Sequence, residues 1–182
     1  VVRTIDQAIA LGVPVSISIT VTQSNLMALG EGVRFALERS LPFNINFYRC
    51  EGGGANGLAP STSRLVEAVE RAFGVIESYL SFYSHPLTGV LDRARFDVPH
   101  YAACAAGRDY LVIDHSGRVS ACQMMMDRPW ATLADEDALG KIRGKWQEAF
   151  GLNVDALDDC RECPWRYVCG GGCPLMMGTA LH

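Results

Sequence analysis

Four cysteines, Cys160, Cys163, Cys169 and Cys173, stand within fourteen residues at the spacing C-x2-C-x5-C-x3-C, with Pro174 immediately after. Thiolates at such short, unequal intervals can converge on a metal, and a segment built this way is organised by what it binds. A second element, Cys104-x12-Gly117-x4-Cys122, lies upstream, so six of the seven cysteines fall in the last 79 residues.

Three chemistries compete for these thiols. A disulfide framework suits a small secreted domain with an even cysteine count and a poor core, whereas this chain has seven cysteines in 182 residues and is 49% hydrophobic. Structural zinc usually pairs two C-x2-C knuckles, or one knuckle with histidines; here one C-x2-C is followed by x5 and x3 intervals that make no second knuckle. The bacterial ferredoxin run C-x2-C-x2-C-x3-C-P is nearer, sharing the first and last intervals and the proline, and its fourth cysteine serves a different cluster from the first three. Iron–sulfur ligation is the reading the spacing favours, and zinc is its rival.

The first hundred residues carry a different pattern. Residues 3–12 predict a helix ending at Gly12 before Pro14. Val15, Ile17, Ile19 and Val21 then alternate with Ser16, Ser18, Thr20 and Thr22, the period of a strand with one apolar face and one lined by hydroxyls. Residues 22–25 offer caps for a helix through about Arg39, with Leu26, Leu29, Val33, Ala36 and Leu37 at helical spacing. A second strand is predicted over Phe43–Cys50, and a helix over 64–80, where Leu65, Val69, Phe73, Ile76 and Leu80 repeat at threes and fours. Helix, strand, helix, strand is the order of a parallel α/β sheet. The glycine-rich stretch 52–57 lacks a P-loop lysine and a dinucleotide fingerprint. Thr20, Thr22, Asn25, Arg49, Cys50 and Glu51 sit at or just past the strand ends. Arg49 can reach a carboxylate ligand or form a solvated pair with Glu51, and Cys50 reads as a small hydrophobe rather than a ligand.

In the second half, Tyr110–Asp114 and Arg118–Cys122 flank His115-Ser116-Gly117, a hairpin whose glycine can take a positive φ. The hairpin brings Cys122 back toward the region of Cys104. Residues 135–150 predict a helix with Leu139, Ile142, Trp146 and Phe150 on one side, weakened by Gly140 and Gly144. Of the four histidines, only His100 lies near a candidate ligand, and histidine is rare among cluster ligands. Met124–Met126, Met176 and Met177 flank the cysteines and suit either a dry shell or ordinary gap filling. Trp130, Trp146 and Trp165 read most simply as core.

The order C-x12-G-x4-C, gap, C-x2-C-x5-C-x3-C resembles the SPASM domain of radical S-adenosylmethionine (SAM) enzymes. Residues 107–114 before the turn and Pro164–Pro174 at the end agree with it, and the likeness covers about residues 100–182. Residues 1–84 are similar, less specifically, to the late βα units of the radical SAM barrel, with 85–100 as a linker and 101–182 as the SPASM-like part. The resemblance implies an α/β fold: the C-terminal part of a partial TIM barrel, then a small α+β cysteine-rich domain with a β-hairpin. It also implies two auxiliary 4Fe–4S clusters. Cys104, Cys122 and Cys173 would serve the first; Cys160, Cys163 and Cys169 would serve the second, together with a further cysteine of the family pattern. Some family members carry an extra cysteine shortly before the first, where this chain has Asp97 and His100. The first cluster is then expected to have an open iron or an unusual fourth ligand. Ile45 best matches the position that contacts the adenine of SAM. The family's C-x3-C-x2-C signature does not occur in these residues and the chain begins at Val1, so the sequence reads as an internal fragment of a longer protein.

The function so implied is that of a radical SAM/SPASM oxidoreductase, most plausibly a peptide or protein maturase. A 5′-deoxyadenosyl radical abstracts hydrogen, and the auxiliary clusters transfer electrons or anchor substrate. The implied cofactors are 4Fe–4S clusters and S-adenosyl-L-methionine. The implied partners are a peptide or protein substrate and an electron donor such as flavodoxin or ferredoxin, in the cytoplasm, where free thiolates persist. The alternative is a non-catalytic iron–sulfur or zinc module for electron relay or partner binding. A net charge of −4 without a basic tract points away from nucleic acid, and no apolar run approaches a membrane span.

Overall fold

A computed structural model describes residues 1–49, 57–87, 89–102, 104–151 and 153–176. The chain divides into two compact units, the first from Val1 to Asp97 and the second beginning at Val98.

The first unit is built on a parallel sheet. Helix α1 (Val2–Ala10) is closed by Gly12 N–H donating to the Ile9 carbonyl and Val13 N–H to the Ala8 carbonyl, the paired bonds of a Schellman end. Strand β1 (Ile17–Val21) pairs in parallel with β2 (Phe43–Phe47), Ile19 opposite Ile45. Between them runs α2 (Leu29–Glu38), entered through a single 3-10 turn at Leu26–Ala28. After β2 comes α3 (Thr62–Tyr79). Val33 and Ala36 of α2, Ala68 and Ala72 of α3, and Ile45 and Val21 of the sheet are all buried in one core. The small Ala68 and Ala72 let α3 lie close, and a Cβ on Gly30 of α2 would stand only 3.7 Å from Val75. Alternation settles which face of the sheet is apolar: Ile17, Ile19 and Val21 turn to the core while Ser18 and Thr20 are exposed.

Residues 85–97 belong to this unit rather than to a linker. Leu91 forms a one-residue parallel bridge to Ile45, with Ile45 N–H donating to the Val90 carbonyl and Asp92 N–H to the Ile45 carbonyl, each at 2.7 Å. Pairing of Val90–Asp92 satisfies the otherwise open edge of β2. An apolar cavity of about 370 Å³ lies beside it, lined by Phe73, Ile76, Leu87, Val90 and Phe96. It contains none of the cysteines.

The second unit holds a small antiparallel sheet in which β4 (Arg118–Ser120) is central, flanked by β3 (Val112–Ile113) and β5 (Ala131–Thr132). Val119, Ala131 and Ile142 form its buried centre, with Ile142 contributed by α4 (Ala138–Phe150). The Asp137 carboxylate caps α4 by accepting from Gly140 N–H at 2.8 Å. A Cβ on Gly140 would fall 2.0 Å from that carboxylate, which is why a poor helix former stands there.

The β3–β4 hairpin closes on Asp114. Its Oδ1 accepts from the Ser116 and Arg118 backbone N–H groups, both at 2.9 Å, and its Oδ2 from Arg118 Nε at 2.6 Å. The Arg118 N–H above all, with the Arg118 guanidinium and the Ser116 N–H, holds the Asp114 carboxyl below the usual carboxylate range. Between the lowered value and about 3.9 the unfolded chain binds the extra proton, so stability rises with pH there. The stabilisation is complete above that ordinary value and is lost as pH falls through the lowered one. Asp114→Asn is therefore expected to lower Tm at pH 7, and the difference should shrink toward pH 2. A difference independent of pH in thermal scans would contradict this role.

Candidate metal centre

Five of the six candidate cysteines lie on turns or at the ends of very short elements, and their positions follow from local geometry. Cys160 and Cys163 share a tight turn in which Cys163 N–H donates to the Cys160 carbonyl at 2.8 Å. The chain then enters α5 (Arg166–Cys169), whose last residue is the third cysteine. Asp155 anchors this segment, accepting from Arg166 Nε at 3.1 Å and from the Tyr167 hydroxyl at 2.9 Å. Arg166 Nη1 also donates to the Cys163 carbonyl at 3.2 Å.

These three thiols share an environment. Burial first, then the neighbouring Cys169 and Cys163 and the Asp159 carboxylate, push the Cys160 thiol above the ordinary thiol range. The three thiols are not drawn to a single point, since among the described residues no three His, Cys, Asp or Glu side chains stand at ligating geometry. None of these six cysteines is in a disulfide.

Past Cys169 the backbone reverses through Gly170, Gly171 and Gly172 at φ of +67°, +90° and +77°. Three successive residues in that region suit only glycine, and a Cβ on Gly171 would also meet Leu157 at 3.1 Å. The run separates an exposed Cys169 from a buried Cys173 within four residues.

Gly107, three residues after Cys104, lies against Ala121, the residue before Cys122. Cys104 Sγ accepts from Ala106 N–H at 3.4 Å. Arg108 is raised in pKa by its bond to Asp109 first and, more weakly, by the Cys104 thiolate charge, and its guanidinium lies 5.6 Å from the Trp146 ring. Trp146 in turn leaves no room at Gly107, where a Cβ would fall 2.8 Å from the indole Cδ1 and 3.2 Å from Ala121, the residue before Cys122.

Among the described residues, three buried side-chain polar atoms have no hydrogen-bond partner: His100 Nε2, Ser120 Oγ and Trp146 Nε1. All belong to the cysteine-bearing unit, and each such orphan costs about 1–3 kcal/mol. Ser120 stands two residues before Cys122, and Trp146 packs against Gly107. Hydrogen-bond donors aimed at sulfur tune iron–sulfur clusters, so unpaired O–H and N–H groups in this unit are a donor set that fits such a group.

Other candidate residues have different uses. Ile45 is fully buried in the apolar core, on the face opposite Asn44 and Asn46, because strand parity sends alternate residues to opposite sides. Asn25 Oδ1 accepts from Thr22 N–H at 2.8 Å and its Nδ2 donates to the Thr20 carbonyl at 2.9 Å, so these strand-end groups bond one another. Arg49 pairs with Asp92, both mostly buried; this partner was not evident from sequence, because Asp92 lies in the stretch read as linker. Cys50, Glu51, residues 52–56, Met177 and His182 lie outside the described residues. His85 bonds the Ser40 carbonyl through Nε2 at 2.7 Å. Trp146 and Trp130 pack in the second unit, but Trp165 is 63% exposed and is not core.

No protein-family model, curated protein or solved structure matches this chain. Among the described residues no helix is long and apolar enough to cross a membrane.

Proposed function

We propose that this chain is the auxiliary-cluster part of a radical SAM/SPASM oxidoreductase that modifies a peptide or protein. What supports the reading is the C-x2-C-x5-C spacing of Cys160, Cys163 and Cys169, the first two of which share one backbone-closed turn. Cys160, Cys163 and Cys169 would hold one 4Fe–4S cluster, and Cys104, Cys122 and Cys173 another. When bound, such clusters supply electron transfer, while SAM supplies the hydrogen-abstracting 5′-deoxyadenosyl radical. The chain's own part is to hold thiolates and to exclude water around the buried Cys173. The polar face of the parallel sheet, where Asn46 Nδ2 donates to Ser18 Oγ at 2.8 Å, is the surface of the first unit suited to polar groups of SAM or substrate. A flavodoxin or ferredoxin would deliver electrons.

A second reading, a non-catalytic iron–sulfur or zinc module, draws support from one observation: Thr20, Thr22 and Asn25 satisfy one another and Arg49 is taken by Asp92. The coding sequence upstream of Val1 separates the two readings. The enzyme requires C-x3-C-x2-C there, and the longer protein should release 5′-deoxyadenosine from SAM under a strong reductant. A complete upstream sequence without that motif, or SAM recovered intact, leaves the module.

A further inference from the structure

We propose that Cys160 and Cys163 are a reversible dithiol–disulfide couple, closed by a small-molecule disulfide and reopened by thiols. The two stand at the spacing C-x2-C, which serves redox chemistry as well as metal binding. The backbone sets their separation before any bond between sulfurs forms. Cys163 N–H donates to the Cys160 carbonyl at 2.8 Å, and Cys160 N–H donates to the Leu157 carbonyl at 2.9 Å. A turn closed in this way holds its end Cα atoms within about 7 Å, and a disulfide spans about 4.4–6.8 Å between them. Cys163 is fixed from its far side too: its carbonyl accepts from Arg166 N–H and from Arg166 Nη1, each at 3.2 Å. Pro164 also disfavours helical backbone at Cys163, so the turn ends there.

None of these bonds uses a sulfur atom, so closing the couple asks for side-chain rotation rather than refolding. Both cysteines are half-buried, and Arg161 and Glu162 between them are exposed, which leaves a small disulfide room to reach them. Two sulfurs suffice for this chemistry, whereas no three His, Cys, Asp or Glu side chains stand at ligating geometry among the described residues. One thiolate attacks a sulfur of oxidised glutathione, forming a mixed disulfide and expelling one glutathione thiolate. Its neighbour then attacks the protein sulfur of that mixed disulfide, forming the Cys160–Cys163 bond and expelling the second. Two protein thiols lose two electrons, and their two protons end on the two glutathione thiols. The free thiols of the structure are the reduced member of the couple. Closure consumes two of the three thiolates assigned above to one cluster, so the oxidised chain cannot hold it. That consequence, unlike the couple itself, rests on the cluster reading.

The test takes the metal-free chain through glutathione buffers from reduced to oxidised, blocks the remaining thiols with N-ethylmaleimide and maps tryptic peptides by mass. Cleavage after Arg161 leaves Cys160 and Cys163 on separate peptides that only a disulfide holds together. We expect that linked pair in the oxidised buffer and its release by dithiothreitol. In Cys163→Ser, Cys160 should keep a glutathione adduct, because the second step has lost its thiol. Cys169 also weighs electrostatically on Cys160, so Cys169→Ser is the control and should still form the linkage. A linkage from either cysteine to Cys169 overturns the couple. So do glutathione adducts that persist on both cysteines of the unmutated chain, or free thiols throughout in excess oxidised glutathione. The chain reconstituted with iron and sulfide separates this result from the cluster reading: bound clusters should protect both cysteines. Linkage at an undiminished rate in the loaded chain overturns the gating of that cluster. A reduced chain that takes up no iron or sulfide overturns the cluster reading, while the linkage, mapped without metal, is decided by its own result.

Discussion

Gly107→Ala is expected to destabilise the second unit by about 2–5 kcal/mol, combining about 1–2 for a left-handed residue that carries a Cβ with about 1–3 for overpacking. Gly107 sits at φ +77°, where its N–H donates to the Tyr110 carbonyl at 2.8 Å and closes the turn that follows Cys104. A methyl there falls 2.8 Å from Trp146 Cδ1 and 3.2 Å from Trp146 Cβ and Ala121. The backbone cannot relax without breaking the Tyr110 bond, and the indole cannot retreat because it is packed in α4 and nearly buried. For a unit of this size each kcal/mol shifts Tm by about 4–8 °C, so a fall of about 10 °C or more follows. Displacement of the indole should also move Trp fluorescence to longer wavelength. Gly144→Ala is the control, because a Cβ at Gly144 meets nothing within 4 Å. It should stabilise α4 by about 1 kcal/mol through helix propensity alone. Equal thermal midpoints for the two variants would show that the Gly107–Trp146 contact does not hold the Cys104 turn.

Cys163→Ser is expected to halve the metal content of the reconstituted chain, from about eight irons to about four, with sulfide falling in step. Serine keeps the Cys160–Cys163 turn, which is made by backbone, but removes the soft thiolate that iron–sulfur chemistry requires. Cys104→Ser should remove the other half. The double variant should retain almost nothing, since the two sets are independent. Cys50→Ser should leave the content unchanged. If Cys163→Ser and Cys104→Ser each emptied the whole chain, or neither changed its content, the division into two sets of three would be wrong.

Much of the first unit was legible because its cores are written in periods. Ile17, Ile19 and Val21 alternate with hydroxyls and turn to the core, and α3 repeats its apolar positions at threes and fours. Leu91 escaped notice because one paired residue between Pro86 and Pro99 leaves no period to read; its pairing depends on the open edge of β2 rather than on local sequence. β5 was missed for the same reason, as two residues, Ala131–Thr132, carry no alternation. Ile45, matched to the adenine-contacting position of the family that the chain resembles, is fully buried in the core. The strand pattern gives parity but not which face meets the helices, and α2 and α3 together settle that. Trp165 was read as core from its type alone, yet it precedes a four-residue helix too short to have a buried stripe.

The candidate site was legible in the identity of its thiols and illegible in what surrounds them. Nothing in the spacing says that Trp146 closes on Gly107, that Tyr167 holds His100, or that Ser120 is buried with its hydroxyl unpaired. Those are contacts between residues far apart in sequence, set by where α4 and α5 pack. They are also where unpaired polar groups gather, and a folded chain keeps few of these without a function for them.

The most direct measurement is the metal and acid-labile sulfide content of the chain reconstituted anaerobically, with ⁵⁷Fe Mössbauer spectra. Two 4Fe–4S clusters predict about eight irons and about eight sulfides per chain, with the isomer shifts of tetrahedral iron–sulfur sites. Zinc in whole-number stoichiometry with negligible sulfide would contradict the cluster reading and leave a structural metal module.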